Sequence, residues 1–171
     1  GLDIVRSSFP PAFRDFMTKV LKAILAKVSK EKIDEFILNF KNNLKDEELD
    51  KIALPTGVKG LNKYMDKSRG GFQSKTMFTP MKKGAPVHTK ASVIYNDLLK
   101  HFKANNHEPI SNGNKVRWVY LKTNPYNIDG LAYKGYDDPK QIIDFINQYV
   151  DRDKLFDKAL SKKIKMFYDA M

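Results

Sequence analysis

Residues Lys82–Lys100 read KKGAPVHTKASVIYNDLLK. Two lysines precede a Gly-Ala-Pro turn. His88 and Lys90 follow, and no acid stands among these groups. Apolar residues then recur at helical spacing through Val93, Ile94, Leu98, Leu99 and Phe102. The stretch marks a boundary. Before it, from Thr56 to Ala85, periodicity lapses. Gly57, Gly60, Gly70, Gly71, Pro80 and Gly84 punctuate that lysine-rich run, which reads as loop. After it a helix begins, with Thr89 as the expected cap. Tyr95 and Asn96 point about 100° apart on that helix, so both cannot be core.

Toward the N-terminus the pattern predicts two helices. Ser7-Ser8 offers a cap, and Pro10-Pro11 fits a first turn. The first stripe is Phe13, Phe16, Met17, Val20, Leu21, Ile24, Leu25 and Val28. Ser29 caps the second helix, with Ile33, Phe36, Ile37, Phe40 and Leu44 inward. Lys51–Leu54 reads as a short strand ending at Pro55. Toward the C-terminus, Val116–Leu121 and Ile128–Tyr133 read as strands. Asp138-Pro139-Lys140-Gln141 has the form of a capped helix start, and the helix is expected to reach Val150. Asp151 opens a last helix through Leu155, Phe156, Leu160, Ile164 and Phe167. The sum is an α+β fold, helix-rich with a small antiparallel sheet, expected as a single domain over 1–171.

The chain has 171 residues and 42% aliphatic and aromatic residues, enough for a packed core. There is no cysteine, so disulfides, zinc-thiolate sites and thiol nucleophiles are excluded, and a reducing compartment is expected. No apolar run reaches the roughly 20 residues of a membrane span. No signal-peptide pattern opens the sequence. The sequence does not start with Met, so a fragment is the expectation. The formal charge is +11. Residues 56–90 hold seven lysines and Arg69 against Asp66, a local +7. Positive charge focused on a Gly-rich backbone suits phosphates, and the bland alternative is a solvated loop.

Catalytic patterns are weak. Asp137-Asp138 and Asp151/Asp153 offer close acids for hard cations, but both sit where helices begin, where acids favour the helix N-terminus. His88, His101 and His107 lack helical ligand spacing to one another. No phosphate-binding P-loop and no G-x-S-x-G elbow is present. The sequence therefore predicts no catalytic residue and no metal site. Trp118 and Tyr120 share one strand face and are expected to be core.

The segments LDIVRSS, LNKY, GGF and KGAPVHTKASVIYN together resemble the thumb region of family B DNA polymerases, above all those of T-even-like and related marine phages. A recurring thumb pattern in that family is Gly-(small)-Pro-x-His-x-(basic)-(small)-x-x-x-Tyr/Phe-Asn. Gly84, Pro86, His88, Lys90, Ala91, Tyr95 and Asn96 occupy it here. The order of segments is similar over nearly the whole chain, with 1–6 in the place of a palm-exit segment and 56–90 in that of a basic, DNA-approaching loop region. Two departures stand out. Lys90 takes a place where the family usually has arginine, losing the bidentate fork. The terminal run KMFYDAM fits the last helix pattern and does not read as the apolar-aromatic clamp-binding tail of many phage relatives, which truncation or another form of tail would explain.

The resemblance implies a domain that grips primer-template duplex through its phosphate backbone and minor groove. It implies DNA contacts at Lys59, Asn62, Lys63, Tyr64, Lys82, Lys83, His88, Lys90 and Asn96. It implies no cofactor in this chain, because the catalytic carboxylates and their Mg²⁺ belong to a palm. The implied partners are duplex DNA, the palm and, as a further candidate, a sliding clamp, without a membrane. The implied setting is phage replication in the host cytoplasm, with no secretion. Two rivals are a free-standing protein-interaction module docking through the first two helices, and a separately encoded C-terminal subunit of a split polymerase. A small hydrolase using His88 is a third reading.

Overall fold

The structure is a computed structural model and describes residues 9–66 and 77–171. The expected extended segment Leu2–Arg6, the caps Ser7 and Ser8, and Arg69, Gly70, Gly71 and Phe72 lie outside the described residues. The fold is α+β, helix-rich with a small antiparallel sheet. Among the described residues no helix is long and apolar enough to cross a membrane. The chain gathers into two compact units, Gly1–Leu54 with Asp151–Met171, and Pro55–Val150.

The first unit contains α1 (Pro11–Leu25) and α2 (Lys30–Asn43), then a 3₁₀ turn over Leu44–Asp46 and a short α3 (Leu49–Ile52). The chain returns through α6 (Arg152–Phe156), a π-helical turn over Asp157–Ser161 and α7 (Lys162–Asp169). Pro11 stands at the first helical position of α1, where its missing N–H costs nothing. Ser29 caps α2, its hydroxyl accepting from the Lys32 amide. Four rings from three helices make the core. Phe16 stacks on Phe40 at 4.1 Å, and Phe13 meets Phe40 at 5.9 Å and Phe156 at 6.2 Å, both edge-on. The α1 stripe turns inward through Ala23 instead of Leu25, which is 73% exposed on the last turn. Asp151 caps α6 as expected, accepting from the Lys154 amide. The Arg152 guanidinium donates to the Leu44 and Glu47 carbonyls, closing the 3₁₀ turn.

The second unit is a sheet in the order β1 (Leu54–Gly57), β2 (Lys115–Tyr120), β3 (Gly130–Tyr133), with α4 (Val87–His101) packed on β3 and β2, and α5 (Lys140–Tyr149) packed on β3. In the β2–β3 ladder Trp118 pairs with Ala132 and Val119 with Leu131. Every residue of β3 is buried. Trp118 and Tyr120 are half-buried, their rings 4.9 Å apart and edge-on, while Val116 and Val119 are the buried residues of β2.

Three local expectations are corrected. Lys51–Leu54 is not a strand: Leu49–Ile52 is a helical turn, closed by the Lys51 and Ala53 amides on the Glu48 and Leu49 carbonyls. The strand starts at Leu54 and passes through Pro55, which it tolerates because β1 is an edge strand. Thr89 does not cap α4. Pro86 does the work with its carbonyl, which accepts from both the Thr89 and Lys90 amides. Asp138 does not cap α5 either. Its carboxylate turns back to accept from the Lys134 and Gly135 amides and the Tyr95 hydroxyl.

Candidate nucleic-acid interface

Two lysine-bearing segments lie side by side in the second unit. The first, Lys59 to Asp66, turns at Gly60, whose φ of +68° suits glycine. The Asn112 side chain holds this turn by accepting from the Leu61 amide at 3.0 Å. The second segment runs from Thr79 to Lys90. An antiparallel bridge joins Met65 to Met81. On either side the Lys82 amide donates to the Tyr64 carbonyl, and the Asp66 amide to the Pro80 carbonyl at 2.8 Å.

The second segment is also tied to α4. Asp97, nearly buried on that helix, accepts from the Thr79 amide at 2.8 Å and from the Thr79 hydroxyl at 2.9 Å. The chain then turns between Lys82 and Ala85, closed by the Ala85 amide on the Lys82 carbonyl. Gly84 sits third in that turn at φ +88°, the backbone of a type II turn. Pro86 follows and starts α4. Lys82, Lys83 and Lys90 thereby line one concavity of about 450 Å³ with Thr79, Pro80, Met81, Gly84 and Ala85. No carboxylate stands among those lining residues.

The other expected contact residues fall into two groups. Lys59, Asn62 and Lys63 are exposed on the turn that the Met65–Met81 bridge carries beside Lys82. Tyr64 is half-buried, with the Lys63 ammonium 5.4 Å from its ring centre. His88 and Asn96 do not line the lysine concavity. His88 is half-buried in the first turn of α4, and burial lowers its pKa below the ordinary 6.5. Its ring is therefore neutral at pH 7, a hydrogen-bonding group and not a fourth cation. Asn96 braces the fold: its amide donates to the Ile110 carbonyl and accepts from the Ile110 amide at 2.7 Å.

Of the paired acids, Asp137, Asp138 and Asp151 have structural partners. Asp138 holds the turn after β3. Asp137 faces His107, its carboxylate 3.3 Å and its carbonyl 2.7 Å from Nδ1. Sequence reading missed Asp97 and Asn112, the two side chains that hold the lysine-bearing segments in place. A lone acid among apolar positions of a helix was the available signal for Asp97; Asn112, in a turn-rich run, gave none.

This arrangement can hold anions by charge and by the free donors of flexible lysines, without a shape that reads one base from another. No family model matches the chain, and no curated protein matches it.

Proposed function

We propose that this chain is the duplex-gripping thumb of a phage-type family B DNA polymerase. Its lysine cleft holds the phosphate backbone of primer-template DNA, with polymerisation carried out by a palm outside this chain. The observation that carries the reading is one concavity lined by Lys82, Lys83 and Lys90 with no carboxylate among its lining residues, beside which the Met65–Met81 bridge sets the turn bearing Lys59 and Lys63. A polymerase thumb must hold every sequence while the duplex advances, and contacts to phosphate position without reading bases. The likeness of the Gly84–Asn96 pattern to the family's thumb supports the same reading.

The test is duplex affinity measured against salt for two unrelated sequences. Each phosphate neutralised contributes a log–log slope of about −0.9. The reading requires near-equal affinities for the two sequences and a steep slope. A triple substitution K82A/K83A/K90A should flatten that slope by about 2 to 3. Unchanged affinity in the triple variant removes the cleft from the interface. A palm reading frame continuous with Leu2 in the coding sequence distinguishes a polymerase domain from a separate subunit.

A protein-interaction role has its own supporting observation in the first unit. Phe16, Phe36 and Phe40 line a groove between α1 and α2, and Leu38 is 59% exposed on α2. A stoichiometric complex with a protein partner, abolished by Phe36→Asp and accompanied by no duplex affinity, would favour it.

A further inference from the structure

A second groove, of about 610 Å³, adjoins the lysine cleft and shares Thr79, Met81 and Lys90 with it. Its chemistry is opposite. Met77, Phe78, Val87, Ile94 and Tyr126 make most of its lining apolar, and the exposed Asn127 and Asp129 line it as well. Its walls are held from both sides. Thr79 is fixed on Asp97, as described above. The loop bearing Tyr126 is tied by Asn124, whose side chain accepts from the Tyr126 and Ile128 amides and donates to the Lys122 and Ile128 carbonyls. The Tyr126 ring lies against Phe145 at 5.1 Å and edge-on to Phe78 at 6.1 Å. Val87 stands on the rim, 45% exposed.

We infer that this groove takes an unpaired nucleobase at the end of a duplex, while the adjoining lysines hold the phosphates beside it. The inference rests on the reading of Lys82, Lys83 and Lys90 as phosphate ligands. An apolar, aromatic-bearing slot joined through Lys90 to a cationic cleft matches a ligand with a flat apolar face beside an anion. A paired base keeps its faces in the helical stack. An unpaired one offers a face to the groove and its phosphate to the lysines together, and contacts of that kind are sequence-tolerant because every base has a π-face.

The experiment measures affinity of the full chain for three DNAs by fluorescence anisotropy: a blunt duplex, the same duplex with a three-nucleotide 3′ overhang, and the same overhang made abasic. The overhang should bind about tenfold more tightly than the blunt duplex, in keeping with base stacking on side chains. The abasic overhang should lose most of that gain. Val87→Asn, a change at an exposed rim position, should bring the overhang-to-blunt ratio toward one. Equal affinity for base-bearing and abasic overhangs overturns the inference. So does an unchanged ratio in Val87→Asn. If the blunt duplex binds with a steep salt slope and the overhang adds nothing, the inference fails and the lysine cleft stands; if no DNA binds, both fail. An acidic apolar peptide occupying the groove with no overhang preference overturns it in favour of a protein partner.

Discussion

Thr89 carries a hydroxyl into the interior, 1% exposed and without a hydrogen-bond partner among the described residues. Its place as third residue of α4 follows from Pro86 starting the helix earlier than a Thr cap would allow. An orphaned buried hydroxyl carries a desolvation cost of about 1–3 kcal/mol, so the near-isosteric Thr89→Val should raise stability by about 1 kcal/mol, seen as a higher urea midpoint at unchanged slope. A lower midpoint would reveal a partner for the hydroxyl. Tyr95 is the opposite case. Its hydroxyl donates to Asp138 at 2.8 Å, and burial, then that carboxylate, raises its pKa above the ordinary 10. On the first unit, Tyr168 donates to Asp34, and burial together with that acid pushes it up to about 12. The folded state thus holds both protons more tightly than the unfolded chain. Their contribution is complete below pH 10 and is lost as pH rises toward the folded pKa values. Tyr95→Phe should cost about 1.5–3 kcal/mol at pH 7 and flatten the alkaline decline measured by denaturation between about pH 10 and 11. His88 gives the acid limb. Its folded pKa lies below 6.5, so its contribution is present above pH 6.5 and falls away as the pH drops. The adjacency of Tyr95 and Asn96 made one buried and one partly exposed residue legible from sequence. That Asn96 faces Ile110 was not, because the partner lies 14 residues away in a run without periodicity.

Helices with long stripes were the most legible elements: α1, α2 and α4 lie where the spacing places them, and β2 and β3 differ from expectation only at their ends. The errors lie where local pattern does not decide the partner. At Leu49–Ile52 and Pro86 backbone carbonyls close a turn that no side-chain signal marks, and at Asp138 the Tyr95 hydroxyl and the Lys134 and Gly135 amides hold the carboxylate that was expected to cap α5. The Met65–Met81 bridge was invisible because its halves are separated by the segment where periodicity lapses, and pairing two such strands depends on Asn112 and Asp97 from elsewhere. The turn over Lys82–Ala85 gives this element a clean test. A Cβ at Gly84 meets nothing within 4 Å, so substitution carries only the conformational cost of φ +88°. Gly84→Ala should therefore destabilise by about 1–2 kcal/mol, read from urea denaturation. It should also weaken duplex binding, since Lys83 precedes the strained residue and Lys90 follows Pro86 closely. Loss of stability with duplex affinity intact would separate the turn from the binding surface.

At the scale of the molecule, the sequence shows the amount of positive charge and where it concentrates along the chain, but not the discontinuity of the fold. Periodicity is local, so nothing in the pattern of Leu155, Phe156 and Leu160 says that they complete a core begun by Phe13 and Phe16, with Pro55–Val150 forming its own unit between. The same distinction between amount and place governs function. A net +11 attracts any polyanion, and a binding defect in K82A/K83A/K90A could reflect three lost charges anywhere. The matched control is K158A/K162A/K165A, three exposed lysines on the first unit that lower the net charge equally. Near physiological salt the screening length is about 8 Å, so a charge farther than that from a phosphate contributes little to holding it. Counterion release, in contrast, counts only lysines that neutralise phosphates. The cleft variant should therefore lose affinity and flatten the salt slope by about 2 to 3, while the control keeps the slope and loses affinity chiefly at low salt, where screening is weak. Equal slopes for the two variants would make binding a property of total charge, and the acid-free cleft would have no special part in it.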